Sequence, residues 1–354
     1  AASGELPAAR SAYEAVARLA RQHRWPERLA RAALGVGSGP GGFEVPPFDR
    51  EQIALLEEAA DAILDGALRA RILARLSVAL SLDAALQRRG DLSEEAISLA
   101  RKAGDAGALG YALASWCDVF AGPADMELRL DAAAEILTCA VEAGDTRLEL
   151  LGRRLRVVAL LEGGATSQVD SEISAFAATA ERLGQVVYSW YVPLWRAMRA
   201  VMEGRLELGD RLRQEATRMG DAAHSENASM LTGSQRAMLL CEIGQPAEAV
   251  AFFEDLSLRW PEYTIMVNPG LAYAYAVSGM TNRAKEVIAT IRLENYQVDT
   301  LGSEWLPSLV MLSYAVSLAG AGLLADDLYS MLFPFRNLHS VDGIGGYLMG
   351  TIER

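Results

Sequence analysis

Metal ligands are scarce here: 354 residues hold three histidines and three cysteines. His23, His224 and His339 lie far apart, and none has a second donor at metal-ligand spacing. Capping or solvated roles are expected for them, and no metal or other cofactor is expected. Cys117, Cys139 and Cys241 are odd in number and widely spaced, which excludes a disulfide framework and suits a reducing cytoplasm. Basic charge is also short. Lys and Arg number 33 against 46 Asp and Glu, a formal charge of −13 that repels phosphate backbones and argues against direct nucleic-acid binding.

Catalytic signatures are missing as well. Neither a GxSxG elbow nor an HExxH helix is present. The stretch GVGSGPGGF (35–43) lacks the GK[ST] ending and the preceding strand of a phosphate loop, so it reads as an inter-helix loop. Carboxylates are scattered at helical spacing, as on solvated faces, and no enzyme is expected. The opening AASGELPAARSAYEAV has neither a basic n-region nor an apolar h-region, so no secretory signal is read.

Two long uncharged runs, 263–282 and 305–325, reach the ~20 residues needed to span a bilayer. Asn268, Pro269, Gly270 and Gly279 interrupt the first, and Pro307 and the Gly320–Gly322 break interrupt the second. Each run is therefore expected to be a buried helix and a turn, with no membrane contact.

Half of the residues are apolar (51%) and 22% are charged, a composition that folds. The chain is longer than one compact core usually grows, so two domains or an open repeat array is expected. Repeats are visible. Glycines at 122, 163, 204, 244, 279 and 320 fall at intervals of 41, 41, 40, 35 and 41. A second series ends the phrases KAGD, EAGD, RLGQ and RMGD: Gly104, Gly144, Gly184 and Gly220 are 40, 40 and 36 apart. Two interleaved series with one period imply two helices and two turns per unit, each glycine closing a helix and a following Asp capping the next. No segment alternates as a strand does, so essentially no sheet is expected.

The stretch CEIGQPAEAVAFFEDLSLRWPEY (241–263) shows one unit in detail. Ala249, Phe252, Phe253, Leu256 and Trp260 form one helical stripe, with Asp255 and Arg259 spaced for an i,i+4 pair off it. A small residue one turn past the glycine permits close helix approach, and an aromatic one turn later fills the groove between units. Gly244, Ala249, Phe253, Leu256 and Pro261, with Ala237 and Leu240 before them, resemble the tetratricopeptide repeat. Gly279 with Ala284, Ile288 and Ile291, and Gly320 with Ala325, Tyr329 and Leu332, match it in part. The earlier units depart from it, having a period near 40 and longer helices.

Longer phrases carry a second resemblance. The AARAALG-type wording before a Gly-rich break (Arg31 to Gly42), Asp49 to Leu64, Leu68 to Leu80, Leu150 to Gly164, Tyr188 to Arg205 and the terminal DGIGGYLMGTIER resemble the repeat region of large actinobacterial transcriptional regulators. In that family an ATPase domain precedes the repeats, and a LuxR-type or SARP-type DNA-binding domain, or a nucleotidyl cyclase domain, sits elsewhere on the polypeptide. The resemblance implies an all-α, right-handed superhelical solenoid of degenerate repeats, about seven or eight antiparallel hairpins. It implies a cytoplasmic sensor arm that binds an effector or protein partner on its concave face and signals to the N-terminal ATPase domain. None of the family's catalytic or DNA-reading motifs lies in this segment.

The whole chain is read as one repeat domain: an N-terminal hairpin at 1–36, a Gly/Pro loop at 37–50, stacked hairpins at 51–343, and at 344–354 the start of a further repeat. The missing initiator Met, the scar-like Ala1–Gly4 and the uncapped apolar end read as an excised fragment.

One cluster suits recognition. Tyr188, Trp190, Tyr191, Trp195, Arg196 and Arg199 concentrate rings and guanidinium groups on one expected helix, and Arg153, Arg154 and Arg156 of the preceding unit are expected to share the concave face. Such groups anchor partners and grip carboxylates or phosphates. Packing between repeats, with the arginines snorkelling, accounts for the same residues. Candidate binding residues are Arg153, Arg154, Tyr191, Trp195, Arg196 and Arg199. A constitutive scaffold for a peptide or helix, or self-association through the apolar faces of 263–282 and 305–325, are the competing uses.

Overall fold

The structure is a computed structural model that describes residues 6–37, 49–81, 86–261 and 264–353. Among the described residues it is all-α apart from one small hairpin. The helices run α1 Leu6–His23, α2 Pro26–Gly37, α3 Arg50–Ala62, α4 Gly66–Ala79, α5 Leu86–Ala103, α6 Ala106–Val119, α7 Met126–Ala143, α8 Thr146–Glu162 and α9 Thr166–Leu183. They continue with α10 Val186–Ser189, α11 Tyr191–Met202, α12 Leu206–Ala222, α13 Glu226–Glu242, α14 Ala247–Arg259, α15 Thr264–Val277, α16 Thr281–Thr290, α17 Val298–Leu301, α18 Trp305–Ala319 and α19 Ala325–Leu332. Strands β1 His339–Val341 and β2 Leu348–Thr351 close the chain. The phosphate-loop look-alike lies mostly, and Ala1–Gly4 wholly, outside the described residues.

Local chemistry sets most boundaries. Gly104, Gly144, Gly184, Gly204, Gly244, Gly279 and Gly320 all have positive φ, between +62° and +74°, the conformation that lets a helix stop in one residue. Asp105 and Asp145 cap the helices that follow them, accepting from the amides of Ala108 (2.7 Å) and of Arg147 and Leu148 (3.0 and 3.1 Å). Three expected stops differ. Gly122 has φ −71° and begins a short 3-10 turn, and at Gly163 the left-handed position passes to Gly164. Gly220 lies inside α12, pressed on Ala228, and the reversal falls at His224 (φ +52°), with Ser225 rather than Asp221 capping α13.

Helices pack in neighbouring pairs, several also meet the next but one (α2 with α4, α4 with α6, α6 with α8, α11 with α13), and α15 packs on α18. The apolar stripes face these contacts. Ala249, Phe253 and Leu256 are buried, Phe252 and Trp260 are partly so, and Asp255 pairs with Arg259 as their spacing implies. Ala284, Ile288 and Ile291 are buried too, but Tyr329 is 66% exposed and meets Phe333 in a tilted ring contact. The two uncharged runs become α15 and α18, each mostly buried. Among the described residues no helix is long and apolar enough to cross a membrane. Among the described residues of these runs, the large apolar side chains that are exposed are Met280, Leu318 and Leu323.

The chain end departs furthest from expectation. Residues 344–353 begin no helix. They supply the turn and second strand of an antiparallel pair in which His339 faces Thr351 and Val341 faces Leu348. Glycine at 343, 345, 346 and 350 disfavours helix and permits the reversal, so the expected start of a further repeat is corrected, and the sheet, expected to be essentially absent, amounts among the described residues to this one pair of short strands. The hairpin returns to the middle of the chain, where β1 contacts α8 and α18. Around the same place Val298 of α17 touches Gly122, bringing the late helices against the turn after α6.

Candidate functional site

The Tyr188–Arg199 segment is two helices. α10 ends at Ser189, Trp190 bridges, and α11 restarts with Pro193 in its first turn, where no amide donor is missed. Its rings are core. Trp190 and Trp195 are fully buried and Tyr191 is 3% exposed. Trp195 meets Phe176 of α9 edge-on at 4.9 Å, and Trp190 stacks on Tyr191 at 3.8 Å.

The arginines separate. Arg153 is held by Glu149 (2.9 Å) and by Glu172 of α9 (2.7 Å). Arg199 lies on Asp170 through both forks, at 2.7 and 2.9 Å, with Glu203 at 3.3 Å. The hydrogen bond from Arg199 holds the Asp170 carboxyl below its usual range. Arg154 is half-buried on α8. Arg196 is exposed and lines two shallow grooves of about 260 and 340 Å³ beside α9 and α12. Arg153 and Arg199 thus answer to different carboxylates, and of the six candidates Trp195 donates to the site described next.

That site forms where the hairpin tip, 342–347, meets α8, α11, α13 and the turn before α18. Trp195 Nε1 donates to the carbonyl of Ile344 at 2.8 Å. The Gln235 Nε2 amide of α13 donates to the carbonyls of Leu194 (3.0 Å) and Gly346 (2.5 Å). Two side chains from the contacting helices α11 and α13 therefore read main-chain oxygens of the tip. Gly345 fits because it lacks a side chain. Its φ is +77°, and a Cβ there would lie 2.9 Å from Leu161 and 3.4 Å from the Trp195 nitrogen.

Two carboxylates hold the tip from the other side. Asp342, 3% exposed, accepts from the amides of Gly346 and Tyr347 (3.1 Å for the latter) and so closes the turn on itself. Glu304 accepts from the Gly343 amide at 3.0 Å. Among the described residues neither has an ion-pair partner. Burial, and then the charge of Glu304, push the Asp342 carboxyl up to about 8. Burial also raises Glu304, against the opposing hydrogen bonds from Gly343 and Ser303. The Tyr347 hydroxyl is pushed far up by burial and then by both carboxylates.

Beneath the site, Arg129 and Glu162 form a buried pair at 2.5 Å, and Arg129 also donates to the Gly122 carbonyl at 3.1 Å. This fixes the end of α8, and with it Leu161. Burial leaves the Glu162 carboxyl raised even beside its cation.

Gln235, Glu304 and Asp342 were not singled out from the sequence. Glycine density in DGIGGY was the available signal for a turn, but nothing local says what a turn will touch. Among the described residues no group of His, Cys, Asp and Glu is placed to hold a metal ion. No protein-family model matches this chain, and no curated protein matches it.

Proposed function

We propose that this chain is the binding arm of a larger regulatory protein, a superhelical array of tetratricopeptide-like hairpins whose concave inner face takes a protein partner. The observation that carries this reading is the reading of Ile344 and Gly346 carbonyls by Trp195 and Gln235. Side-chain donors aimed at main-chain oxygens recognise a peptide whatever its side chains, which is how extended or turned segments are captured by a rigid scaffold. Stacked repeats add small rotations along the array, so occupancy at the inner face is transmitted to a neighbouring domain, in this reading an ATPase domain of the same polypeptide.

A small effector gripped by arginine is the weaker version, because Arg153 and Arg199 are already held by carboxylates. Thermal unfolding against a panel of peptides, nucleotides and metabolites tests the reading. A ligand that binds only the folded chain raises the melting temperature with its saturation. A shift with peptides that is lost in Gln235→Leu supports the inner face as the site. No shift with any member of the panel between pH 5.5 and 7.5 overturns it.

A further inference from the structure

We propose that the groove between α9 and α12 docks an amphipathic helix of a partner protein, about three turns long, which runs antiparallel to both and sets a carboxylate on Arg196. None of the lining residues belongs to the hairpin tip, so this surface adds to the inner-face reading without resting on it.

Three observations lead there. The two hollows of about 260 and 340 Å³ form one trough, because Arg196 of α11 and Leu212 of α12 line both. Along α9 its lining runs from Asp170 to Glu181, about 16 Å of helix or three turns, over an apolar bed of Ile173, Ala177, Val192, Leu208 and Met219. Second, the walls are flanks of helices whose main-chain groups are bonded internally, and Ser174 already donates to the Asp170 carbonyl. An extended peptide would bury amides there without partners, whereas a helix brings its hydrogen bonds with it.

Third, charge is divided along the trough. Towards the starts of α9 and α12 stand Arg196, Arg199 and Arg205 against Asp170 and Glu203. Arg199 and Arg205 engage those two carboxylates, and among the described residues Arg196 has no carboxylate partner. At the other end stand Glu181 and Glu215, both exposed and in no ion pair among the described residues. The helix dipoles have the same sense, since α9 and α12 begin at the arginine end and finish at the glutamate end. A docked helix is therefore held with its N-terminus and a basic side chain over Glu181 and Glu215. Midway it sets a carboxylate on Arg196, and apolar side chains at i, i+3 or i+4, and i+7 enter the two hollows.

A display library of random linear peptides, selected on the full chain and counter-selected on Leu212→Arg, tests this. Leu212→Arg puts a charged side chain where the two hollows join. Enriched peptides should carry the i, i+3 or i+4, i+7 apolar pattern with an acidic residue on the same face. They should bind Arg196→Glu at least tenfold more weakly than wild type. Replacing that acid with Lys should restore binding to Arg196→Glu and lower it at least tenfold on wild type. A photo-cross-linking residue at the first peptide position should label near Glu215, and one at the last position near Leu208. Arg196 is exposed, so Arg196→Glu should keep its helix content, and if Leu212→Arg does not fold the charge reversal at 196 decides. No enriched peptide, or enriched peptides indifferent to Arg196→Glu, overturns the groove as a docking site. Binders with a central proline overturn the helical occupant, and reversed cross-links overturn its direction. Dimerisation of the chain alone that Arg196→Glu abolishes gives the groove to a second copy and overturns the partner helix. Each of these failures leaves the inner-face reading standing, because the hairpin tip takes no part.

Discussion

Trp195 and Ile344 are joined by a 2.8 Å hydrogen bond from indole nitrogen to main-chain oxygen, across 149 residues of sequence. This bond ties the last segment of the chain to its middle. Trp195→Phe keeps most of the ring contact with Phe176 and removes the donor. It should cost about 1 kcal/mol in urea unfolding, because the half-buried Ile344 carbonyl loses its donor. Tip amides should exchange faster while helix content by circular dichroism is unchanged.

The Arg129–Glu162 pair, 6% and 7% exposed, should show strong coupling. Removing either partner alone (Arg129→Met or Glu162→Leu) strands a buried charge and should cost about 3–5 kcal/mol. The double variant should recover most of that loss. A double-mutant cycle by chemical denaturation measures the coupling, and additive single costs would show that the pair is not a unit.

Gly270 in α15 lies under the ring of Phe253, where an added Cβ would come within 2.3 Å of the ring carbon Cε1. Gly270→Ala should lower stability by about 1–3 kcal/mol despite the better helix propensity of alanine, since the ring backs onto the core. Phe253→Leu in the same chain should return part of the loss, read as a partial recovery of the melting temperature.

Stability should also fall as the medium is made more alkaline within the physiological range. The seated Asp342 has a pKa raised above its unfolded value, so its contribution is fully present below about 4 and is lost as pH rises towards about 8. Urea midpoints measured from pH 5 to 8 should decline, and Asp342→Asn should flatten most of the slope. A midpoint that rises over that interval would contradict the sign.

Cys117 and Cys241 are buried, and burial pushes both thiols up to about 12. Modification by a thiol reagent at pH 8 should be slow in the native chain and rapid in urea. Rates that follow reagent concentration in native buffer, rather than an opening step, would show that these thiols are more accessible than the structure has them.

Much of the helical plan was legible in the sequence because its causes are local. Gly144, Gly184 and Gly244 stop helices through their own backbone freedom, and Asp105 and Asp145 cap through amides two or three residues away. The stripe through Ala249, Phe253 and Leu256 states which face is buried, though not what buries it. Gly220 misled because a glycine permits a stop without requiring one, and α12 ran on to a better cap at Ser225. The Tyr188–Arg199 cluster left packing and recognition both open, for a related reason. Aromatic and arginine side chains suit a core, a surface pair or a partner equally well, and only packing on Phe176 and Asp170 decided which.

By itself the sequence determined the helices, their period and the apolar faces that make them pack in pairs, since each depends on neighbours within a turn or two. The place of DGIGGY was decided only by the tertiary structure. Its seat is assembled from Leu161, Trp195, Gln235 and Glu304, residues from four separate elements, and no local pattern encodes a contact whose two sides meet only after the chain has folded.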